Sequence, residues 1–320
     1  MRVAVQPCRL CGRRRLVTCS SQAERSAGPT RNHQLQQRVY IEHTDCFGVT
    51  FYARYWSWLS AGRQAALGRS FREAGLQQVM LQADACRLAS PAVLGDTVVI
   101  HSELVGTDED RRLLLWRQTV APLVGTALGK PHLSCTTVSG LVDRHGVAHA
   151  WPEHPLIDGL PASKAPFSLS APLASSTAPV AVTTAVMPYG IELSGLHGAP
   201  TETDVLRWME RNRTDIIGGG EGLKRLQESH TLVVVTAVND FRMDHIVAVN
   251  THAQPVRVCS SVTTKRRGAF IAFHQEVWAH DRLLAHADVT CACVDANTMA
   301  LMPAAPPGLL QLLTTTTGTA

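Results

Sequence analysis

The sequence predicts an α+β chain made of two copies of one unit, each a long helix wrapped by a curved antiparallel sheet. Three observations carry that prediction. Arg38 to Arg69 reads in order as a strand, a short turn and a buried helix. Alternating apolar segments then recur as far as Asp143, and the same programme returns farther down the chain at a nearly constant displacement.

In the opening stretch, Val39 and Ile41 alternate with Tyr40 and Glu42, which suits a strand with one wet face. Asp45, Cys46, Phe47 and Gly48 make the turn. Tyr55, Trp58, Leu59 and Gly62 then recur every three or four residues, the period of a helix laid on a hydrophobic surface. Trp56 and Trp58 cannot both face that surface, and the persistence of a tryptophan at position 208 favours Trp58 as the buried one. Phe71 to Met80 closes the helical region or turns back toward the sheet. Pro91 and Gly95-Asp96 punctuate the approach to a strand carrying Val98 and Ile100, and Arg111 to Val120 and Cys135 to Asp143 read as further strands. Residues 36–148 form the first unit on this reading, and residues 149–179, rich in Pro, Ser and Ala, a linker or surface wrap.

The second unit, residues 180–300, repeats the first weakly but in register. Trp208 and Arg213 stand 150 residues after Trp58 and Arg63. Leu114 to Val120 faces Ile271 to Val277 at a displacement of 157, and Cys135 to Asp143 faces Ala287 to Asp295 at 152. A sheet wrapped on one helix leaves an exposed edge strand, and a second copy covers it by continuing the sheet. Thr201, three residues before Asp204, is placed to N-cap the second helix. Residues 301–320 are uncharged and read as a flexible tail.

Composition bounds the function. Apolar residues make up 45% of the 320, so a folded core is expected, and a formal charge of +4 is too small an excess to imply a nucleic-acid partner. Residues 1–32 hold seven arginines and one acidic residue, Glu24, the composition of a transit peptide to plastid or mitochondrion or else of a disordered leader on a cytoplasmic protein. Cys8, Cys11 and Cys19 lack a fourth ligand nearby, so no metal is expected. Nine irregularly spaced cysteines argue for reduced thiols. Four prolines interrupt the uncharged stretch 165–191, which excludes it as a membrane span.

The chemistry concentrates before the first helix. Asp45 precedes a helix start, where unpaired backbone amides and the positive end of the helix hold an anion, and it either caps that helix or acts on a substrate. Asp45-Cys46-Phe47-Gly48-Val49-Thr50-Phe51-Tyr52-Ala53-Arg54-Tyr55, followed by Trp58-Leu59, resembles the active-site segment of the hot-dog thioesterases of the 4-hydroxybenzoyl-CoA type. The resemblance extends to Pro91 to Asp96 and to the strands ending near Asp143, and the repeat makes the chain a double hot-dog. It implies hydrolysis of an acyl or aroyl thioester of coenzyme A or acyl carrier protein, with no cofactor beyond the coenzyme A or phosphopantetheine of the substrate. Asp45 would be the catalytic carboxylate, as nucleophile or general base, and the backbone amide of Tyr52 would polarise the carbonyl. Gly48, Val49, Tyr55 and Arg63 are the substrate-binding positions it implies. For Tyr55 a core role stays open, and Arg63, like Arg213, would alternatively hold its helix to a carboxylate. Arg54 stands where the family often has Asn. A homodimer of double hot-dog chains is compatible with this family.

The second copy differs at the decisive position, Gly195 standing where Asp45 stands, with Gly198 in the place of Gly48 and Glu202 in that of Tyr52. One catalytic centre per chain follows, its opposite wall expected from Asn239 to His252, with His245 a candidate contact. Lys265, Arg266 and Arg267 are candidate contacts for the phosphates of coenzyme A or an acidic carrier, or a plain hairpin turn. Gly218 to Gly222 lacks a P-loop ending and reads as a helix terminator, and no G-x-S-x-G is present. Two rivals stand beside hydrolysis: a dehydratase of the same fold, for which His43 is the local candidate, and a non-catalytic acyl-binding protein.

Overall fold

The computed structural model describes residues 31–45, 48–68, 71, 74–161, 173, 182–188, 193, 195, 198–245, 248 and 255–317. The leader's CxxC and most of the Pro-rich linker lie outside the described residues.

The first half runs β1 (Asn32–Arg38), a 3-10 turn (Ile41–His43), α1 (Tyr52–Leu67), β2 (Leu76–Leu88), β3 (Thr97–Thr107), β4 (Leu113–Val124), β5 (Ala127–Leu128), β6 (Leu133–Asp143) and β7 (Ala148–His149). The second runs β8 (Val182–Val186), α2 (Glu202–Ile216), α3 (Gly219–Glu228), β9 (Thr231–Met243), β10 (Val256–Lys265), β11 (Phe270–Ala279), β12 (Arg282–Asp295) and α4 (Pro307–Thr317). All strands join one antiparallel twelve-stranded sheet in the order β1-β3-β4-β6-β2-β9-β12-β11-β10-β8, with β5 on β4 and β7 on β6. Read outward from the middle, the two halves have the same order. They meet where β2 pairs with β9, Ala83 opposite Phe241 and Cys86 opposite Val238, so each half closes the other's edge.

Several expectations change. The strand expected at Val39 to Glu42 lies earlier, at β1, because the Val39 amide and carbonyl bond to Asp96 and Gly95 and the chain turns through Ile41–His43. The helices are of ordinary length, 16 residues in α1 and 15 in α2. Both Trp56 and Trp58 are buried, because α1 is covered on two sides: Trp58 meets Tyr55 edge-on, while Trp56 stacks on Phe241 of the second half with ring centroids 6.3 Å apart. Cys86 and Cys135 form a cross-strand disulfide between β2 and β6, against the expectation of reduced thiols. The tail is no loose end, since α4 buries Leu309 and Leu313, one helical turn apart. The start of the linker packs as well, with Trp151 and Ile157 buried against Leu67 and Trp116.

Each half carries a buried polar knot joining its helix to its sheet. In the first, the Gln118 amide donates to Leu59 O and Ser102 Oγ at 2.9 Å each, and its carbonyl accepts from Arg63 at 2.9 Å. In the second, Gln275 donates to Met209 O at 3.1 Å and Ser260 Oγ at 3.0 Å and accepts from Arg213. Buried hydrogen bonds of this kind fix helix register on the sheet, because any slip strands further donors. Thr201 caps α2 as expected, its amide and hydroxyl donating to Asp204 Oδ2 at 2.7 and 2.6 Å.

Candidate active site

The segment from Thr44 to Phe51 is a tight turn pinned on three sides. Asp45 N donates to Val49 O at 2.9 Å and Gly48 N to Asp45 O at 3.0 Å, while Val49 N donates to the Asp45 carboxylate at 3.1 Å. Thr50 N bonds Ala92 O and Leu94 N bonds Gly48 O, tying the turn to the Pro91–Asp96 loop. Gly48 has φ +71°, the left-handed region that a side chain disfavours, so this position sets the shape of the turn; it lines neither of the two cavities beside Asp45. α1 begins at Tyr52, whose amide belongs to the first turn of donors that the helix cannot satisfy internally.

Two cavities of about 340 Å³ and 400 Å³ share a wall of Asp45, Val49, Phe51, Glu210 and Val233 to Val235. Tyr52, Tyr55 and Leu88 to Pro91 complete the smaller one; Arg213, Ile217, Leu226, Phe273 and Cys291 are among those completing the larger. Sizes in this range suit a small-molecule site, and the larger part of the walls is apolar, with Asp45 and Glu210 in both and Arg213 and Lys224 in the larger one. Asp45 is exposed and lines both cavities. Cys291 is no rival nucleophile, since burial pushes its thiol up to about 12.

The other expected residues divide. Tyr52 is buried, its hydroxyl donating to Leu206 O at 2.6 Å and its ring lying 4.9 Å beneath the Arg213 guanidinium; burial pushes the phenol well above its ordinary range. Tyr55 reaches the smaller cavity, but its hydroxyl accepts from Ala92 N at 2.8 Å, which holds the loop, and burial pushes it up to about 12. Arg63 does not reach either cavity: fully buried, it bonds Gln118 and pairs with Glu202 at 3.1 Å, so its role is to hold helix to helix. Lys265, Arg266 and Arg267 form the exposed β10–β11 turn, three strands away from β9, and line neither cavity; the hairpin reading stands there. His245 lines a different, minute void.

That void lies, among the described residues, beside the second copy's counterpart of the Asp45 turn. Gly195 N donates to Ala199 O at 2.9 Å and Gly198 N to Gly195 O at 3.3 Å, with Gly198 at φ +77°, the bonds and the backbone of the Asp45 turn without its carboxylate. Ala199, Pro200 and β2 residues Gln77, Val79 and Leu81 surround only about 10 Å³. A Cβ on Gly195 would stand 2.5 Å from Ala199 O and 3.2 Å from Gln77 Nε2. Gly195→Asp should therefore lower stability by about 1–3 kcal/mol and add no activity, as thermal melting beside a turnover assay would read.

Of the expected Asn239 to His252, residues 246, 247 and 249–252 lie outside the described residues and the others line neither cavity, but the opposite wall does come from the second half. It is built by α2, α3 and the start of β9. α3 was hidden within the glycine run, where Gly218 at φ +100° ends one helix and opens the next. Glu210 was missed altogether; the 150-residue displacement sets it opposite Ser60, a change from hydroxyl to carboxylate that could have marked it.

No protein-family model matches this sequence. No curated protein matches it either. Solved structures do. A protein assigned as an oleoyl thioesterase from Lactobacillus plantarum is 11% identical, with TM-score 0.60 over 82% of this chain and 96% of its own. A 12:0-ACP thioesterase from Umbellularia californica is 11% identical with TM-score 0.58, over 82% of this chain and 94% of that one. An acyl-ACP thioesterase from Bacteroides thetaiotaomicron has the same identity, TM-score and share of this chain, over 98% of its own length. At such identity the likeness shows the fold, a hot-dog-like mixed α/β architecture.

Proposed function

We propose that the chain is a double hot-dog thioesterase, residues 36–148 and 180–300 being its two units, which hydrolyses an acyl thioester of coenzyme A or acyl carrier protein at a single centre. The observation that carries this reading is Asp45, held by a pinned turn at the mouth of a helix and lining two cavities, while a side chain at its counterpart Gly195 would meet Ala199 O. Thioester hydrolysis needs an attacking group and a donor aimed at the developing oxyanion, and a helix-start amide is such a donor without reorganising. Asp45 is the first and the amide of Tyr52 the second. The similarly folded proteins named as acyl-ACP thioesterases support the choice of substrate class.

The dehydratase rival is the weaker one. Among the described residues no histidine lines either cavity, and His43 packs edge-on against Trp58 with Nδ1 accepting from Tyr40 N at 3.0 Å. The test is a thiol-release assay over aromatic, short and long acyl thioesters on coenzyme A and on carrier protein. Release on none of them would end the hydrolase reading.

Because Tyr52 acts here through its backbone, Tyr52→Phe should keep turnover within about threefold while the lost hydrogen bond to Leu206 costs about 1 kcal/mol. A collapse of kcat in that variant, with its fold intact, would instead assign the hydroxyl a part in the chemistry.

No helix among the described residues is long and apolar enough to cross a membrane.

A further inference from the structure

We propose that Glu210 is a second catalytic residue, contributed by the other half of the chain: the base that takes a proton from the hydrolytic water. The inference rests on the thioester reading of the Asp45 site and deepens it. Glu210 lines both cavities together with Asp45, so the two carboxylates face the same space from opposite halves. The pseudo-equivalent place has lost both. Gly195 stands for Asp45 and Ser60 for Glu210, and the void beside Ala199 and Pro200 holds only about 10 Å³. Glu210 also serves as the counter-ion of buried Arg213, as Glu202 does for Arg63, and the variants Glu210→Gln and Glu210→Asp separate that pairing from catalysis.

The surroundings hold Glu210 in place. Its Oε2 accepts from Arg213, which also bonds Gln275 of the buried knot and lies over the ring of Tyr52, the residue that opens α1. Arg213 thus fixes the carboxylate relative to the helix start. The corresponding cation, Arg63, crosses in the same way to Glu202, where it meets a buried acid in place of an aromatic ring. The oxygen of Glu210 that Arg213 does not hold, Oε1, is the one assigned to the water.

With two carboxylates the steps divide cleanly. An oxygen of Asp45 attacks the thioester carbonyl carbon, the C–S bond breaks with its electron pair going to sulfur, and an acyl–Asp45 anhydride forms. Water adds to the acyl carbon while Glu210 takes one of its protons, and the bond to Asp45 breaks, returning its carboxylate. Glu210 then passes the proton to the thiolate, leaving free acid and thiol.

Glu210→Gln keeps an oxygen for Arg213 but cannot act as base. On a thioester that the wild type hydrolyses, rapid mixing should show a burst of about one thiol per chain followed by turnover on the order of 100-fold slower, with Glu210→Asp partly restored and Asp45→Asn giving no burst. Glu210→Gln turnover within twofold of wild type, or a slowed steady state without a burst, would overturn the assignment of Glu210 alone. Loss of activity in step with lost thermal stability would overturn it as well, showing a structural role. A wild type that releases no thiol from any substrate would overturn the hydrolase reading beneath it.

Discussion

Asp45→Asn is expected to abolish turnover, by on the order of 10³-fold in kcat, and to leave the fold unchanged. The amide keeps an oxygen for the Val49 amide that now bonds the carboxylate at 3.1 Å, and the bonds from Asp45 N to Val49 O and from Gly48 N to Asp45 O do not involve the side chain. The side chain is exposed, so no buried charge is removed or left behind. Loss of rate should therefore come without loss of melting temperature. A variant with wild-type kcat on the best substrate of the panel would remove Asp45 from the mechanism, whatever the turn around it looks like. An inactive variant that also melts early would show a capping role instead.

The second large effect is on stability. Arg63 and Glu202 are paired at 3.1 Å with almost no solvent contact, and burial works against both charges, raising the carboxyl of Glu202 and lowering the guanidinium of Arg63. Such a pair adds little net stability over an apolar replacement, yet breaking it from one side strands a charge. Glu202→Ala should cost about 3–5 kcal/mol, which for a chain of this size is a fall of roughly 10 °C in melting temperature. Replacing both partners, Arg63→Met with Glu202→Leu, should recover most of that loss. A single variant within 1 kcal/mol of wild type by denaturant unfolding would mean that water or a rearranged neighbour reaches Arg63. Since the pair lies away from the Asp45 cavities, the folded fraction of Glu202→Ala should keep near-normal kcat.

Much of this was legible in the residues. The spacing of Tyr55, Trp58, Leu59 and Gly62 located α1, because burial on one face leaves a period of three to four in any helix. The displaced pairs Trp58 with Trp208 and Arg63 with Arg213 announced the repeat that the strand order displays. Less legible was anything set by contact rather than by period. Trp56 was assigned to the wrong environment because a second half covers the other side of α1, and helix periodicity records only that a face is buried, not how many partners bury it. Likewise α4 was read as a tail because Pro303, Pro306 and Pro307 and a threonine run mask a leucine pair whose spacing matters only once a surface exists to receive it. Lys265, Arg266 and Arg267 looked like an anion site because charge clusters carry no address; their distance from β9 is a property of the sheet.

By itself the sequence determined the local order of strand, turn and helix, the fact of two copies, and the position of Asp45 in one of them, since each is written in spacing and residue type along the chain. Only the tertiary structure decided which surfaces of the two copies face each other. Pairing β2 with β9 brings Glu210 and the start of β9 before Asp45, and sends Arg63 to Glu202 and Arg213 to Tyr52. The physical reason is that a repeat specifies equivalent positions, whereas a pocket between repeats depends on the packing of unlike residues across their junction, which no single stretch of chain encodes.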